Sequence, residues 1–312
     1  MKSFLVILTT VVCLTATAQD YKSFPMWNTK LSIEQRVNDV VSRLTLEEKV
    51  AQMLNATPAI PRLGIPAYDW WNEVLHGVAR TPFKTTVFPQ AIGMAATWDT
   101  NSLHRMADYS ALEGRAIYSK AVEQGRTAER YLGLPYWTPN INIFRDPRWG
   151  RVSEGNGEDP YLGGQIAKAM VRGYQGKNLS LNNTIMSCVK HFALYGAAEA
   201  GRDYNTTDMS RYRMYNEYFP PYKAAVDAGV GSVMASFNEI DGIPATGNKW
   251  LMTDVLRKQW GFKGFVVTDY TGIMEMEYHG IGDLQTVSAM ALKAGIEMDM
   301  VSDGFLNTLK KS

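Results

Sequence analysis

The chain has 312 residues, of which 46% are apolar and 20% are charged. This composition is typical of a globular protein that is long enough to bury a large core. Its 32 lysines and arginines nearly balance its 31 aspartates and glutamates. Because no excess of positive charge attracts nucleic acid or an anionic membrane surface, we expect neither as a partner.

The first 18 residues differ from the rest of the chain. Lys2 precedes an apolar run over residues 4–14, and residues 16–18 form a small-residue cleavage pattern. The run is too short for a comfortable transmembrane helix, so it predicts a signal peptide over residues 1–18, with no membrane span after its removal. We expect an exported protein, periplasmic or secreted; a retained anchor is the alternative.

Beyond residue 18 the sequence contains a single cysteine, Cys188. An exported domain without disulfides must be held together by a large core. Cys188 lies in the apolar run 185–189, where a buried small hydrophobic residue is favoured over a nucleophile. The histidines lack the spacing of metal ligands, and we expect no metal or other cofactor.

Amphipathic helical stretches alternate with short apolar runs along the chain. We predict helices over 45–54, 101–123 and 159–175, a strand over 185–189, a helix over 208–228 interrupted by prolines, a strand over 231–237, a helix over 250–260, a strand over 265–267, a helix over 284–294 and a strand over 295–301. The first helix opens with a capping-box pattern, Thr45 and Glu48.

Buried strands that alternate with helices indicate a parallel sheet covered by helices. We expect an α/β fold, a TIM-type (β/α)8 barrel. The short distance between Leu54 and Ile65 leaves no room for a normal helix, which predicts an irregular first unit. A doubly wound open sheet is the alternative, but the sequence lacks the glycine-rich phosphate loop of a nucleotide-binding sheet.

Polar residues directly follow three of the predicted strands: Lys190 and His191, then Glu239, then Asp269. In a barrel, catalytic residues lie at these strand ends. A carboxylate followed by an aromatic ring, as in Asp269-Tyr270, suits attack on a sugar; a helix cap is the alternative for Asp269. Lys190 and His191 offer several donors to a hydroxylated ligand, with a satisfied core pair as the alternative.

Two further segments combine charged and aromatic residues. Segment 146–160 is dense in arginine, acid, glycine and proline, which indicates an ordered loop. Within it, Arg151 either donates to vicinal hydroxyls or ties the loop to an acid such as Glu154. Segment 68–77 combines paired tryptophans with Glu73, which indicates either a sugar platform or a buried aromatic pair beside an exposed acid.

These segments together resemble glycoside hydrolase family 3, the β-glucosidase and β-xylosidase group. The resemblance rests on PRWGR, GEDPYL, KHFALYG, GRDYN, PATGNKWLMTDVLR and WGFKGFVVTDY, and it extends from about Thr45 to Met300. It implies a barrel domain over residues 19–312, without the family's usual C-terminal sandwich domain. It also implies a retaining exo-β-glycosidase that acts on terminal β-D-glucosyl or β-D-xylosyl residues of oligosaccharides or of aryl and alkyl glycosides.

The resemblance also implies roles for individual residues. Asp269 is the nucleophile that forms a covalent glycosyl-enzyme. The terminal sugar is held by Glu73, Arg151, Lys190, His191, Phe237 on the floor of the site and Tyr270 beside the leaving group. The Ala193-Leu194-Tyr195-Gly196 segment lacks the loop histidine of the family's N-acetylglucosaminidases, so that branch is disfavoured.

Sugar preference remains open between glucose and xylose. The segments up to Arg151 resemble β-xylosidases, and those from KHFALYG onward resemble periplasmic β-glucosidases. Glu73 stands where many of the glucosidases carry the shorter aspartate, and its extra methylene crowds a hydroxymethyl arm. One methylene discriminates by only about 1–3 kcal/mol, so we expect mixed specificity.

A retaining mechanism needs a second carboxyl group roughly 5–5.5 Å from the nucleophile. In most of the family the sandwich domain supplies it, so the acid/base stays unassigned. Glu239 is a candidate by position, although a structural role is favoured for it. We expect the pKa of Asp269 to stay low because cations such as Lys190 lie nearby. The alternatives to an enzyme are an inactive fragment and a non-catalytic carbohydrate-binding barrel.

Overall fold

The computed structural model describes residues 20–310; the expected signal peptide over residues 1–18 lies outside them. The strands are β1 (Ala56–Thr57), β2 (Tyr68–Asp69), β3 (Glu73–Val74), β4 (Val78–Ala79), β5 (Pro135–Tyr136), β6 (Met186–Phe192), β7 (Ser232–Ala235), β8 (Glu239–Ile240), β9 (Ile243–Pro244) and β10 (Phe265–Val267).

The α-helices are α1 (Ile33–Arg43), α2 (Leu46–Ala51), α3 (Ala91–Ala95), α4 (Thr100–Glu123), α5 (Pro160–Gln175), α6 (Arg211–Arg213), α7 (Pro220–Asp227), α8 (Gly272–Tyr278), α9 (Leu284–Ala294) and α10 (Gly304–Thr308). Segments Met214–Tyr218 and Trp250–Gln259 are π-helical. Within residues 20–310, no helix is both long and apolar enough to cross a bilayer.

A parallel sheet in the order β10-β7-β6-β5 forms the centre of the molecule. Beyond β10, Val267 forms a parallel bridge with Met298, and Asp299 forms another with Leu54. These bridges continue the sheet to the segment that leads into β1. The predicted strand over 295–301 therefore contributes bridges to the sheet and not a full strand.

Backbone hydrogen bonds close the sheet into a barrel. The N–H of Trp70 donates to the carbonyl of Asn55 over 2.8 Å, and the N–H of Trp137 donates to the carbonyl of Asn72 over 2.9 Å. These bonds join the segment after β2 to the β1 end on one side and to β5 on the other. The chain therefore folds as a TIM-type barrel and not as an open doubly wound sheet.

The first unit of the barrel is irregular. Strands β1 and β2 are antiparallel, with Ala56 opposite Asp69 and Thr57 opposite Tyr68. A single 3₁₀ turn, Pro61–Leu63, occupies the place of a connecting helix. The expected irregularity between Leu54 and Ile65 is thus confirmed, because a segment this short cannot make the crossover that a parallel pair needs.

Several helices match their predicted positions. The capping box at the start of α2 is present: the hydroxyl of Thr45 accepts from the N–H of Glu48 over 3.2 Å, and the Glu48 carboxylate accepts from the N–H of Thr45 over 2.9 Å. Helices α4, α5 and α9 lie where helical spacing predicts them. Helix α1 and strand β5 are not among the predicted elements.

The predicted helix over 208–228 is divided. Helix α6 ends at Arg213, a π-helical turn follows, and α7 begins at Pro220. In the π turn the N–H of Phe219 donates to the carbonyl of Met214, five residues back, over 2.8 Å. Pro220 and Pro221 have no N–H to donate, so a regular helix cannot continue through them.

The core packs the barrel strands against the surrounding helices. Val189, Val233 and Val266 belong to one buried cluster with helical residues such as Leu256. Cys188 is a free, fully buried residue of a neighbouring cluster, and burial raises the pKa of its thiol to about 12. Cys188 is therefore an inert core residue, as its sequence context indicates.

Candidate active site

The ends of the parallel strands bring together side chains that are far apart in the sequence. Strand β6 carries Lys190 and His191, and Asp269 follows the end of β10. His191 Nε2 lies 3.2 Å from Asp269 Oδ2, and Lys190 Nζ lies 3.7 Å from Glu73 Oε2. Of the sequence-predicted site residues, these four form the centre of one site.

The two oxygens of the Asp269 carboxyl group differ in their surroundings. Oδ1 accepts a hydrogen bond from the N–H of Tyr270 over 2.6 Å. Oδ2 is buried and accepts no hydrogen bond of good geometry from residues 20–310, although His191 Nε2 is nearby. One oxygen thus anchors the group, while the other is a buried polar atom whose hydrogen-bonding capacity is unused within residues 20–310.

The pKa of Asp269 is raised from its ordinary value of 3.8 to about 6. Burial raises it, and Glu73 contributes in the same direction. Lys190, the N–H of Tyr270 and Arg151 lower it, but together they do not offset the loss of hydration. The expectation of a low pKa is therefore wrong, because it counted the nearby cations and not the burial of the carboxyl group.

His191 is a neutral residue at this site. Burial lowers the pKa of its imidazole well below the ordinary value, and Arg151 and Lys190 lower it further. Protonation would place a third positive charge in a buried position beside two cations, which is electrostatically unfavourable. Its contact with Asp269 is therefore a contact of an uncharged ring with a carboxyl group and not an ion pair.

Arg151 ties its loop to Glu154, which is one of the two roles considered from the sequence. Its Nε and Nη2 donate to the Glu154 carboxylate over 3.1 and 2.8 Å. Its Nη1 lies 3.3 Å from the hydroxyl of Tyr195, and its Nη2 lies 3.2 Å from His191 Nε2. Glu154 thus holds the guanidinium in place at the edge of the site.

The paired tryptophans divide between the site and the barrel interior. Trp71 Nε1 donates to Glu73 Oε1 over 2.7 Å, and its ring centroid lies 6.0 Å from that of Tyr270. Trp70 instead packs edge-on against Tyr68 and Phe265. Of the two tryptophans, only Trp71 therefore lies at the site, next to the half-exposed ring of Tyr270.

Phe237 lies behind the site, and its aromatic partners are two tyrosines. Its ring stacks on Tyr204 with centroids 4.1 Å apart and lies 5.8 Å from the ring of Tyr195. Tyr195 in turn packs edge-on against His191 at 5.1 Å. Phe237 therefore supports the floor of the site through a layer of tyrosine.

The carboxyl group of Glu239, the candidate acid from the sequence, pairs with a histidine. Its Oε1 lies 2.5 Å from Nδ1 of His279. This pairing is in line with the structural role favoured from the sequence. Among residues 20–310, no group of three or more histidine, cysteine, aspartate or glutamate side chains is placed to hold a metal ion.

Comparison with known families identifies the barrel. Residues 35–311 match the model described as Glycosyl hydrolase family 3 N terminal domain. The chain belongs to glycosyl hydrolase family 3.

Relatives of this family 3 barrel include enzymes named for glucose and for xylose. The chain is 39% identical over 281 residues to a periplasmic beta-glucosidase of Salmonella typhimurium, a match that covers 88% of this chain and 34% of the relative. It is 38% identical over 293 residues to a xylan 1,4-beta-xylosidase of Xylanibacter ruminicola, covering 92% of this chain and 34% of the relative. The chain thus spans about a third of the length of these relatives.

Solved structures show the same architecture. A beta-glucosidase from Listeria innocua in complex with isofagomine superposes with a TM-score of 0.77 at 34% identity, covering 90% of this chain and 42% of that chain. An exo-beta-xylosidase, XlnD, in complex with a xylobiose aziridine probe gives a TM-score of 0.81 at 28% identity, covering 92% of this chain and 38% of that chain.

Two residues at this site were not among the predicted site residues: Asn142 and Tyr195. Tyr195 lies within the KHFALYG string, so its neighbourhood carried a signal. Asn142 is fully buried and contacts His191, which is 49 residues away in the sequence. The one signal in the sequence is that Asn142 lies between two isoleucines, because an amide buried among apolar residues needs hydrogen-bond partners.

Proposed function

We propose that this barrel belongs to a retaining exo-β-glycosidase that removes terminal non-reducing β-D-glucosyl or β-D-xylosyl residues through a covalent intermediate on Asp269. The observation that carries the proposal is the buried Oδ2 of Asp269, which lies beside His191 and has no hydrogen-bond partner within residues 20–310. The names of the relatives, β-glucosidases and β-xylosidases, support the substrate class.

In the proposed reaction, a carboxylate oxygen of Asp269 bonds to the anomeric carbon while the bond from that carbon to the leaving oxygen breaks. The leaving oxygen takes a proton from a second carboxyl group, which we do not assign to a residue. Water then attacks the glycosyl ester, and the proton of that water returns to the same acid. With a pKa of about 6, Asp269 is mostly ionised at neutral pH and ready to attack.

Donors and acceptors around Asp269 fit a sugar with several hydroxyl groups. Lys190, Arg151 and the neutral His191 donate hydrogen bonds, and the Glu73 carboxylate accepts them. Trp71 and Tyr270 offer apolar ring faces on the open side of the site, where a leaving sugar or aglycone stacks. Oligosaccharides and aryl or alkyl β-glycosides are therefore the proposed substrates.

The choice between glucose and xylose depends on Glu73. Its two oxygens are engaged by Trp71 Nε1 at 2.7 Å and, more loosely, by Lys190 Nζ at 3.7 Å. Because both carboxylate oxygens have a partner, the Glu73 side chain cannot easily rotate away from the hydroxymethyl group of a glucosyl residue. We propose mixed specificity with a preference for the smaller xylosyl group.

We also propose export of the protein, on the strength of the sequence pattern over residues 1–18 and of the relative that is named periplasmic. The competing function is a carbohydrate-binding barrel without turnover. The pairing of Glu239 with His279 favours it, because this pairing occupies the acid that the sequence offered as a proton donor.

Covalent labelling separates the two functions. The protein is incubated with 2-deoxy-2-fluoro glucosyl and xylosyl fluorides, and its intact mass is measured before peptide mapping. We expect an adduct on Asp269, formed faster with the xylosyl reagent. Asp299, another buried carboxyl group with a pKa of about 6, is the internal control and should stay unlabelled. No adduct with either reagent would leave the binding barrel as the function.

A further inference from the structure

Asn142 contacts His191 at two points. Its Nδ2 lies 3.0 Å from Nδ1 of the imidazole, and its Oδ1 accepts from the N–H of His191 over 3.0 Å. The hydroxyl of Tyr222 lies 2.9 Å from the same Oδ1 and 2.6 Å from the carbonyl oxygen of His191. All three residues are buried, so water does not compete for these bonds.

The contacts determine which way the Asn142 amide points. A backbone N–H can only donate, so the atom that faces the N–H of His191 must be the amide oxygen. The amide NH₂ group therefore faces Nδ1 of the imidazole. A flipped amide would set its NH₂ group against the N–H of His191 and leave two donors facing each other.

The orientation of the amide determines the protonation of the ring. Nδ1 must accept the hydrogen bond from Asn142, so the proton of the neutral imidazole lies on Nε2. A second proton on Nδ1 would face the NH₂ group of Asn142 and lose its partner. We propose that Asn142, held by Tyr222, is a positioning residue that fixes His191 as the neutral Nε2–H tautomer.

The charged and titratable groups around His191 have opposing effects on the pKa of its imidazole. They are Lys190 on the same strand, Arg151 on the loop over 146–160, Asp269 after β10, Tyr195 and Tyr222. Asp269 favours an imidazolium, whereas the two cations oppose it. Burial and these cations hold the pKa of His191 low, in agreement with the tautomer that the Asn142 amide selects.

Nε2 has two polar neighbours with opposite demands. Asp269 Oδ2, 3.2 Å away, can accept its proton, whereas Arg151 Nη2, also 3.2 Å away, can only donate and already donates to Glu154 over 2.8 Å. The Asn142 amide and Asp269 thus favour a proton on Nε2, and Arg151 opposes it. If the proposed function is correct, this proton is available to a sugar hydroxyl or to the attacking carboxylate, and His191 is excluded as an acid or base near neutral pH. The tautomer itself does not depend on that function.

Nitrogen-15 NMR of histidine-labelled protein tests the proposal on the folded chain without substrate. The resonances of His191 are identified by their loss in His191→Gln. We expect Nδ1 of His191 to show the shift of an unprotonated acceptor and Nε2 that of a protonated nitrogen, with no titration between about pH 5 and 8. A proton on Nδ1, or titration near the ordinary pKa, would overturn the proposal.

A variant of Asn142 reverses the constraint. In Asn142→Asp the new carboxylate accepts from Nδ1–H, so we expect the proton to move to Nδ1 and the pKa of His191 to rise by at least one unit. An unchanged spectrum in a folded Asn142→Asp protein would contradict the proposal. If this variant does not fold, the wild-type spectrum alone decides. Failed covalent labelling together with the expected tautomer would reject the glycosidase function and leave this inference in place.

Discussion

His191 Nε2 lies 3.2 Å from Asp269 Oδ2, and neither side chain is more than 13% exposed. Because His191 is neutral, it gives the carboxylate no full positive charge. The counter-charge for Asp269 comes from Lys190 and Arg151, which lower its pKa without overcoming burial. This balance of burial and cations is the basis of the first predictions.

Replacement of Asp269 should abolish turnover. In Asp269→Gly, kcat for an aryl glycoside with a good leaving group should fall by at least about a thousandfold, because no other group takes the place of the nucleophile. Added azide should restore part of the rate and give a glycosyl azide of inverted configuration. Full activity of the variant, or wild-type turnover with no rescue of the variant by azide, would show that Asp269 is not the nucleophile.

The pH dependence of kcat/KM should report the raised pKa of Asp269. The carboxylate must be ionised to attack, so activity should fall as pH decreases through about 6. In Lys190→Met, the loss of the cation that lowers this pKa most should move the acid limb upward by about one unit. Lys258→Met, which removes a surface lysine paired with Asp254, is the control and should leave the limb unchanged.

The main elements of the fold and the centre of the site could be predicted from the sequence. The meeting of Lys190, His191 and Asp269 followed from the rule that parallel strands end at one face of a barrel. The sequence placed Lys190 and His191 just after their strand, whereas β6 extends through them to Phe192. The pKa of Asp269 could not be obtained in this way, since it depends on how completely other segments bury the carboxyl group. The division of Trp70 from Trp71 was also hidden, because neighbours in an extended segment point in opposite directions.

Asp269 and Asp299 are two buried carboxyl groups that allow the effect of burial on the free energy of unfolding to be compared. Burial raises the pKa of each to about 6, but their bonding differs. Both oxygens of Asp299 accept backbone N–H groups, Oδ1 from Ser302 over 3.2 Å and Oδ2 from Phe305 over 3.3 Å. In the part of the chain that the structure describes, Oδ2 of Asp269 has no such partner. The same substitution should therefore have opposite effects on stability at the two positions.

Asp269→Asn should stabilise the fold by about 1–3 kcal/mol at pH 7, because it removes a charge that folding takes out of water. The folded pKa of about 6 exceeds the ordinary 3.8, so the wild type loses stability relative to the variant as pH rises from about 4 to 6. The difference should vanish below about pH 4, where the carboxyl group is protonated in both states. Urea unfolding at pH 4 and pH 7 measures it.

Asp299→Asn should instead destabilise the fold at pH 7, by about 1–3 kcal/mol. An amide has one acceptor oxygen, so one of the two backbone N–H groups at Ser302 and Phe305 is left facing an NH₂ group. The same urea titrations serve as the measurement, with Asp269→Asn as the comparison. Equal stabilisation by both substitutions would mean that burial alone, without regard to the bonding of each oxygen, determines the energetics of these carboxyl groups.

Glu73→Asp should move the sugar preference toward glucosides. The shorter side chain leaves space for a hydroxymethyl arm, and the ratio of kcat/KM for glucoside over xyloside should rise by about tenfold, within the 1–3 kcal/mol that one methylene is worth.

Trp71→Phe is the companion variant: it keeps the ring beside Tyr270 but removes the N–H that holds Glu73 Oε1 over 2.7 Å. A freed Glu73 can turn aside, so this variant should shift the ratio in the same direction by a smaller factor. A fall in both activities with an unchanged ratio would place Glu73 in general sugar binding and remove it from specificity, because a residue that contacts both sugars equally cannot discriminate between them.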